Sequence, residues 1–181
     1  MNAISFREAE PSDASMLGAL HVTSWRETYA GLLPDQLLDE QSKEARAAMW
    51  RRVLEDPAQY SGTFVLVAER EGEMVGFGAC CIQRHEALSE RGYDGEFGAV
   101  YVLRAHQGEG VGTMLMRLLA GKLLDKGLRG GALWVLSENL SARKFYEKLG
   151  GVCVDEKADE HSGAVLTEVA YGWVDLSRLL A

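Results

Sequence analysis

The spacing of apolar residues changes period along this 181-residue chain, and each change marks a change of secondary structure. Ile4-Ser5-Phe6-Arg7 alternates and reads as a short strand, closed by Pro11-Ser12-Asp13, a helix start. A first helix is expected from there to residue 29. Beyond Gly31 and Pro34 two further helical pieces are expected, the second over residues 42–54, with Ala45, Ala48, Met49 and Arg52 at helical spacing. From Thr63 the period drops to two. Residues 64–69, a turn at Glu71-Gly72-Glu73 and residues 74–83 read as an antiparallel hairpin, and a fourth strand is expected over 96–103. Val111, Met114, Leu115, Leu118 and Leu119 then form a helical stripe that stops near Gly127. A short buried strand over 132–136 is followed by a helix whose face is Ala142, Phe145, Tyr146 and Leu149, with Gly150 at its C-terminal cap position. Strands over 152–157 and 164–173 complete a mixed α/β sheet.

Between the fourth strand and the helix after it lies Gln107-Gly108-Glu109-Gly110-Val111-Gly112. Strand, glycine turn, helix is an anion-binding layout: glycines let the backbone turn tightly and approach a ligand, and the N–H groups of the first helical turn point at it. The competing reading is a plain connection. A Walker loop needs Lys followed by Ser or Thr after its last glycine, and Gly112-Thr113-Met114 has no Lys there. A dinucleotide fingerprint needs Gly-x-Gly-x-x-Gly, and the glycines stand at 108, 110 and 112 with no run of parallel βαβ units after them.

Composition narrows the classes. A hydrophobic content of 47% suffices for one well-buried domain, and no composition shift marks a linker. Residues 84–95 are polar enough to form an exposed loop, and no apolar run approaches the ~18 residues of a membrane span. The N-terminus lacks the apolar core of a signal peptide, so a cytoplasmic protein with no membrane association is expected. Cys80, Cys81 and Cys153 form no metal or disulfide spacing and read as buried structural thiols; no metal site is expected. A net charge of -8 argues against a nucleic-acid partner and is compatible with a cationic or amine substrate. If the chain assembles, a homodimer is expected, dimers being the commonest closed assembly.

Three separated segments, in order, resemble the GNAT acetyltransferase superfamily: Glu96-Phe97-Gly98-Ala99-Val100-Tyr101-Val102, then Gln107 to Gly112, then Asn139-x-x-Ala142-x-x-Phe145-Tyr146-x-x-x-Gly150. The resemblance implies a GNAT fold of the α/β (α+β) class, a mixed, mostly antiparallel sheet of about seven strands with about four or more helices, splayed between strands 4 and 5, as a single domain over residues 1–181. It implies acetyl-CoA in the gap. The pyrophosphate would lie on the backbone of Gln107, Gly108, Glu109, Gly110, Val111 and Gly112, with Thr113 beside it. The pantetheine arm would pair with the strand backbone along Val100, Tyr101 and Val102. Such pairing needs an unpaired strand edge, and a bulge at Gly98 is a plausible way to make one. Asn139 resembles the residue that reaches toward the cofactor from the next helix, a role that can coexist with an N-cap. The family often carries an aromatic where Gly151 follows Gly150, which puts the local packing in question.

Acetyl transfer to an amine needs a neutral amine, and a lysine-like amine has a pKa near ~10.4, so a base is called for. The resemblance puts Glu96 at the base's position, acting directly or through water; the alternative is a solvated carboxylate at a strand edge. On strict alternation Glu96 shares a face with Val100 and Val102, which a bulge at Gly98 would reverse. Tyr146 resembles the general acid for the leaving thiolate, against a reading as a core aromatic. His21, Trp25 and Tyr29 recur every four residues on the first helix and could line an acceptor pocket, or pack in the core. His85 and His106 read as residues of solvated loops, the alternative being contact with a ligand phosphate. The expected activity is direct transfer of the acetyl group of acetyl-CoA to a primary amine of a small molecule or a protein N-terminus; the alternative is a CoA-binding regulatory module without turnover.

Overall fold

Glu71 and Gly72 both take positive φ, 55° and 82°. This is the mirror-image two-residue turn whose twist suits a hairpin, and it returns β2 (Phe64–Arg70) against β3 (Glu73–Ile82). The computed structural model describes residues 3–33, 38–39, 42–161 and 164–181. Most of the first helical piece expected after Pro34, and Pro34 itself, lie outside them. β1 (Ser5–Glu8) leads through Pro11 into α1 (Ala14–Tyr29), followed by α2 (Lys43–Glu55), the β2–β3 hairpin, a one-turn α3 (Glu86–Ser89), β4 (Gly95–Val102), α4 (Val111–Asp125), β5 (Gly131–Leu136), α5 (Leu140–Lys148), β6 (Val152–His161) and β7 (Ala164–Trp173). The strands form one seven-stranded sheet in the order β1-β2-β3-β4-β5-β7-β6, antiparallel throughout except for β4 and β5.

That parallel pair is the feature that shapes the molecule. It consists of Gly95 against Gly131 and Glu96 against Ala132 and goes no further. Beyond Glu96 the strands part, and the β5-facing edge of β4 is unpaired through Val102 among the described residues. On its other edge β4 pairs with β3, and the register slips at Gly98: Cys80 faces Phe97 while Ala79 faces Ala99. Gly98 is the extra residue of a β-bulge. Phe97, Val100 and Val102 all pack toward the α4 side of the sheet, whereas Ala99, Tyr101 and Leu103 pack toward α1 and α2. The bulge thus inverts the alternation. Glu96 shares a face with Tyr101, toward α1, and not with Val100 and Val102 as strict alternation would have it.

Helices cover both faces, and their buried stripes differ in phase from the apolar pattern. In α4 the core side chains are Val111, Leu115, Met116, Leu119, Ala120 and Leu123, while Met114 and Leu118 are exposed. In α2 the buried residues are Trp50 and Val53; Ala45, Ala48 and Arg52 are exposed. α1 lies so close to α2 that a Cβ on Gly18 would come within 2.5 Å of the Ala47 nitrogen. The segment after β3 is not simply an exposed loop, because Leu88 and Tyr93 are buried against Ala132 and Ala170. Cys80 and Cys81 are buried, their thiols pushed up to about 12 and about 11 by desolvation, but Cys153 is exposed. Gly151 is required by its neighbour: a Cβ there would lie 2.7 Å from the Trp173 ring, and the Trp173 indole N–H donates to Leu149 C=O at 2.9 Å.

His21 is enclosed by the rings of Trp50, Phe77 and Tyr101. Its Nδ1 accepts from the Trp50 indole at 3.1 Å. Burial, helped by Arg46, holds its pKa at about 4. An unfolded histidine titrates near ~6.5, so from that pH down to about 4 the unfolded state takes up a proton that the folded state refuses. Stability should fall by about 1.4 kcal/mol per pH unit there, about 3 kcal/mol in all. Urea unfolding between pH 7 and 4.5 should show this loss in the wild type and a much flatter profile in His21→Gln, which keeps an acceptor for Trp50. Parallel profiles would show that His21 is not the titrating group.

Candidate active site

Gly108 and Gly110 have φ of 80° and 86°, a region that L side chains avoid, and a Cβ on either would meet nothing within 4 Å. Gly110 is the N-cap of α4 and has no side chain to cap it; the first helical bond runs from Met114 N–H to Gly110 C=O at 3.0 Å. The N–H groups of Val111, Gly112 and Thr113 therefore have no partner within the helix and stand at its positive end. The flanks of this cradle are fixed by side chains. Glu109 turns to Arg70, with contacts of 2.7 and 3.2 Å, and the guanidinium holds its carboxyl below the usual carboxylate range. His106 lies 3.6 Å from the same carboxylate, so it belongs to this clamp and not to a solvated loop. Gln107 Nε2 donates to Val102 C=O at 3.0 Å. The main chain at 108 and 110 is left open.

On the other side of the gap is a cavity of about 510 Å³ between α1, β4, β5 and β7. Trp25 and Tyr29 line it, their rings edge to face at 5.1 Å; His21 does not, being held in the α1–α2 core. Glu96 lines it from the point where the strands part and is only 6% exposed. Both of its oxygens are engaged by one residue. Arg84 donates to Oε2 from its main-chain N–H at 3.1 Å and from Nε at 3.0 Å, and from Nη2 to Oε1. The solvated strand-edge reading of Glu96 is thereby excluded. Arg84, itself more than half exposed, reaches Glu96 across Gly98, whose missing Cβ would sit 3.4 Å from the guanidinium.

Tyr29 joins this cavity to the third predicted segment. Its hydroxyl interacts with those of Tyr101 and Tyr146 and with the Asn139 side chain. Asn139 is nine-tenths buried and caps α5, its Oδ1 accepting from Ala142 N–H at 3.1 Å. Tyr146 is buried among Phe145, Tyr171 and Trp173, and burial raises its pKa well above that of a free tyrosine. It belongs to the core, as its place in the apolar stripe implied, within electrostatic range of Tyr29.

Arg84, Trp134, Lys157 and Glu168 were not legible as site residues. Lys157 and Glu168 face each other across β6 and β7 and pair at 3.2 Å; the Lys157 ammonium also lies 4.5 Å from the centre of the Trp134 ring. His85 lines the cavity as well, 3.3 Å from Lys157 Nζ. Only the hairpin register could have shown that Lys157 and Glu168 converge, and nothing local marks Arg84.

The site thus joins a turn with free helix N–H groups, an unpaired stretch of β4 edge and a cavity walled by charged and aromatic side chains. The chain matches the Acetyltransferase (GNAT) family over residues 22–151. It belongs to that family. Among curated GNAT relatives, it is 33% identical over 176 residues to the uncharacterized N-acetyltransferase YuaI of Bacillus subtilis, covering 97% of this chain and 96% of that one. The fold is similar to PaiA N-acetyltransferase from Thermoplasma acidophilum in complex with coenzyme A, with a TM-score of 0.72, 18% identity, and 92% and 98% of the two chains covered. It is also similar to yncA, a putative acetyltransferase from Salmonella typhimurium with its cofactor acetyl-CoA, with a TM-score of 0.67, 20% identity, and 96% and 95% covered. No helix among the described residues of this GNAT chain is long and apolar enough to cross a membrane.

Proposed function

We propose that this protein is an acetyl-CoA-dependent N-acetyltransferase that transfers directly to a primary amine held in the cavity beside Glu96. The observation that carries the reading is the opening of the sheet after Glu96, with an amide cradle at one end and a charged, aromatic-walled cavity at the other. The fit to the cofactor rests on three features: free N–H groups at Val111, Gly112 and Thr113; open space at Gly108 and Gly110; and a β4 edge on which an extended arm can pair as an added strand. Of that edge, the Val102 carbonyl is already taken by Gln107; Leu103 N–H bonds to Val75 C=O on β3, so by alternation Tyr101 is also turned to β3, and the main-chain groups of Val100 with the Val102 N–H are left for pairing. When bound there, acetyl-CoA supplies the activated acetyl thioester.

The residues of the chain divide the remaining work. Glu96 is fixed by Arg84, which fills both acceptor sites of Oε2 and one of Oε1; the remaining lone pair on Oε1 takes the amine proton through a water. Tyr146 stays protonated because its site is desolvated, which suits it to donate to a leaving thiolate. Tyr29 links the two sides. Incubating the purified protein with acetyl-CoA and a panel of primary amines should yield acetylated products by mass spectrometry; bound acetyl-CoA with no product across the panel would favour a module that has kept the cofactor site without turnover.

A further inference from the structure

The cavity's charges say more about the acceptor than the fold does. Each of its carboxylates already has its own cation on the protein: Glu96 has Arg84 and Glu168 has Lys157. A diamine or polyamine entering here finds no unpaired carboxylate to hold its second ammonium. The pair at the mouth is also polarised in depth. The Glu96 carboxylate is buried at the parting of the strands, whereas the Arg84 guanidinium, bonded through Nε and Nη2, faces the cavity with Nη1 making no hydrogen bond among the described residues. An amine beside Glu96 therefore lies within a few ångströms of an unfilled guanidinium donor, with Lys157 as a second cation in the same cavity. The ligand complementary to this pair carries an anionic group next to its amine. The walls of Trp25, Tyr29, Trp134 and Leu166 offer apolar and aromatic surface for the rest of the molecule.

We infer that the acceptor is a free α-amino acid with an uncharged apolar or aromatic side chain, its carboxylate bound by Arg84 Nη1 with Lys157 in support, and its amine directed at Glu96. This rests on the acetyltransferase reading above. The transfer balances as one C–N bond formed and one C–S bond broken: the α-ammonium gives up two protons, one passing to solvent by way of the water on Glu96 and one ending on the CoA thiol, and the N-acetyl amino acid leaves.

The test compares L-leucine, L-methionine and L-tryptophan with their amides, with the matching amines lacking a carboxylate, and with spermidine. The amide comparison separates a free amino acid from a peptide N-terminus. One charge-assisted hydrogen bond predicts about 10- to 100-fold higher kcat/KM for each acid than for its amide. A readout independent of turnover is calorimetric binding of N-acetyl-L-leucine against N-acetyl-L-leucinamide in the presence of CoA, expected to favour the acid by a similar factor. Arg84→Lys keeps a cation against Glu96 and removes the free Nη1 donor; it should raise the KM for the amino acids and erase their advantage over the amides, with acetyl-CoA affinity unchanged. Amides or simple amines acetylated as well as the acids would overturn this inference and leave the acetyltransferase standing. No turnover of any compound, with no preference for the acid in binding, would remove both.

Discussion

Replacing Gly110 by Glu should abolish acetyl-CoA binding while leaving the protein folded. The substitution acts in two ways. At φ 86° a side chain imposes a left-handed conformation that costs about 1–2 kcal/mol, which the fold can absorb because a Cβ there meets no neighbour. The larger effect is at the ligand. A carboxylate on residue 110 stands at the mouth of the cradle, next to the free N–H groups of Val111, Gly112 and Thr113, where it both competes for those donors and repels a phosphate. Each charge-assisted bond lost is worth about 1.5–3 kcal/mol, so losing two predicts about 10²- to 10⁴-fold weaker binding. Titration calorimetry of acetyl-CoA into the wild type and the variant measures this, with thermal melting as the check on folding. Gly110→Ala separates the two causes, since it brings the backbone strain without the charge and should lose far less. If the wild type itself fails to bind acetyl-CoA, the cradle is a connection and the cofactor assignment falls.

What the sequence revealed of this site follows from where the information is local. Gly108 and Gly110 were legible because positive φ leaves a mark on residue type. Gly112 shares the motif for a different reason: a Cβ there would press to 3.2 Å against the Phe145 ring, so it lets α5 pack on the start of α4. The positions of the strands along the chain came from the alternation of apolar residues and the helix breaks, and the bulge at Gly98 from a glycine inside a strand, whereas the place of β7 between β5 and β6 was not legible. The helix faces were half legible. Exposed Met114 and Leu118 belong to the same apolar run as buried Leu115 and Leu119, and composition cannot say which side of a wide stripe meets the sheet. His21 matched Trp25 and Tyr29 in spacing, but α1 leans on α2 through Gly18, and that contact turns His21 into the Trp50 core. The charged half of the cavity was invisible for a general reason. Arg84 reaches Glu96 from the end of β3, and Lys157 meets Glu168 from β6; both pairings exist only once the strands are in register.

Tyr146→Phe should lower kcat by about a hundredfold or more, the range of a lost general acid, and leave the affinity for acetyl-CoA within about a factor of two, the pattern of an interaction made only in the transition state. The change removes one oxygen and keeps the ring that packs against Phe145, Tyr171 and Trp173, so stability should move little. The pH profile carries a second test. Burial raises the Tyr146 pKa above the ~10 of a free tyrosine, so the hydroxyl keeps its proton across the range in which the acceptor amine loses its own. The wild-type rate should therefore climb with pH through the amine's titration and show no alkaline fall below about pH 10. An acid with an ordinary or lowered pKa would bend the profile down within that range. Phe at 146 with undiminished kcat would return Tyr146 to the core residue that its place in the apolar stripe already makes it, and the leaving thiolate would have to draw its proton from Tyr29, the remaining hydroxyl that faces both the cavity and α5.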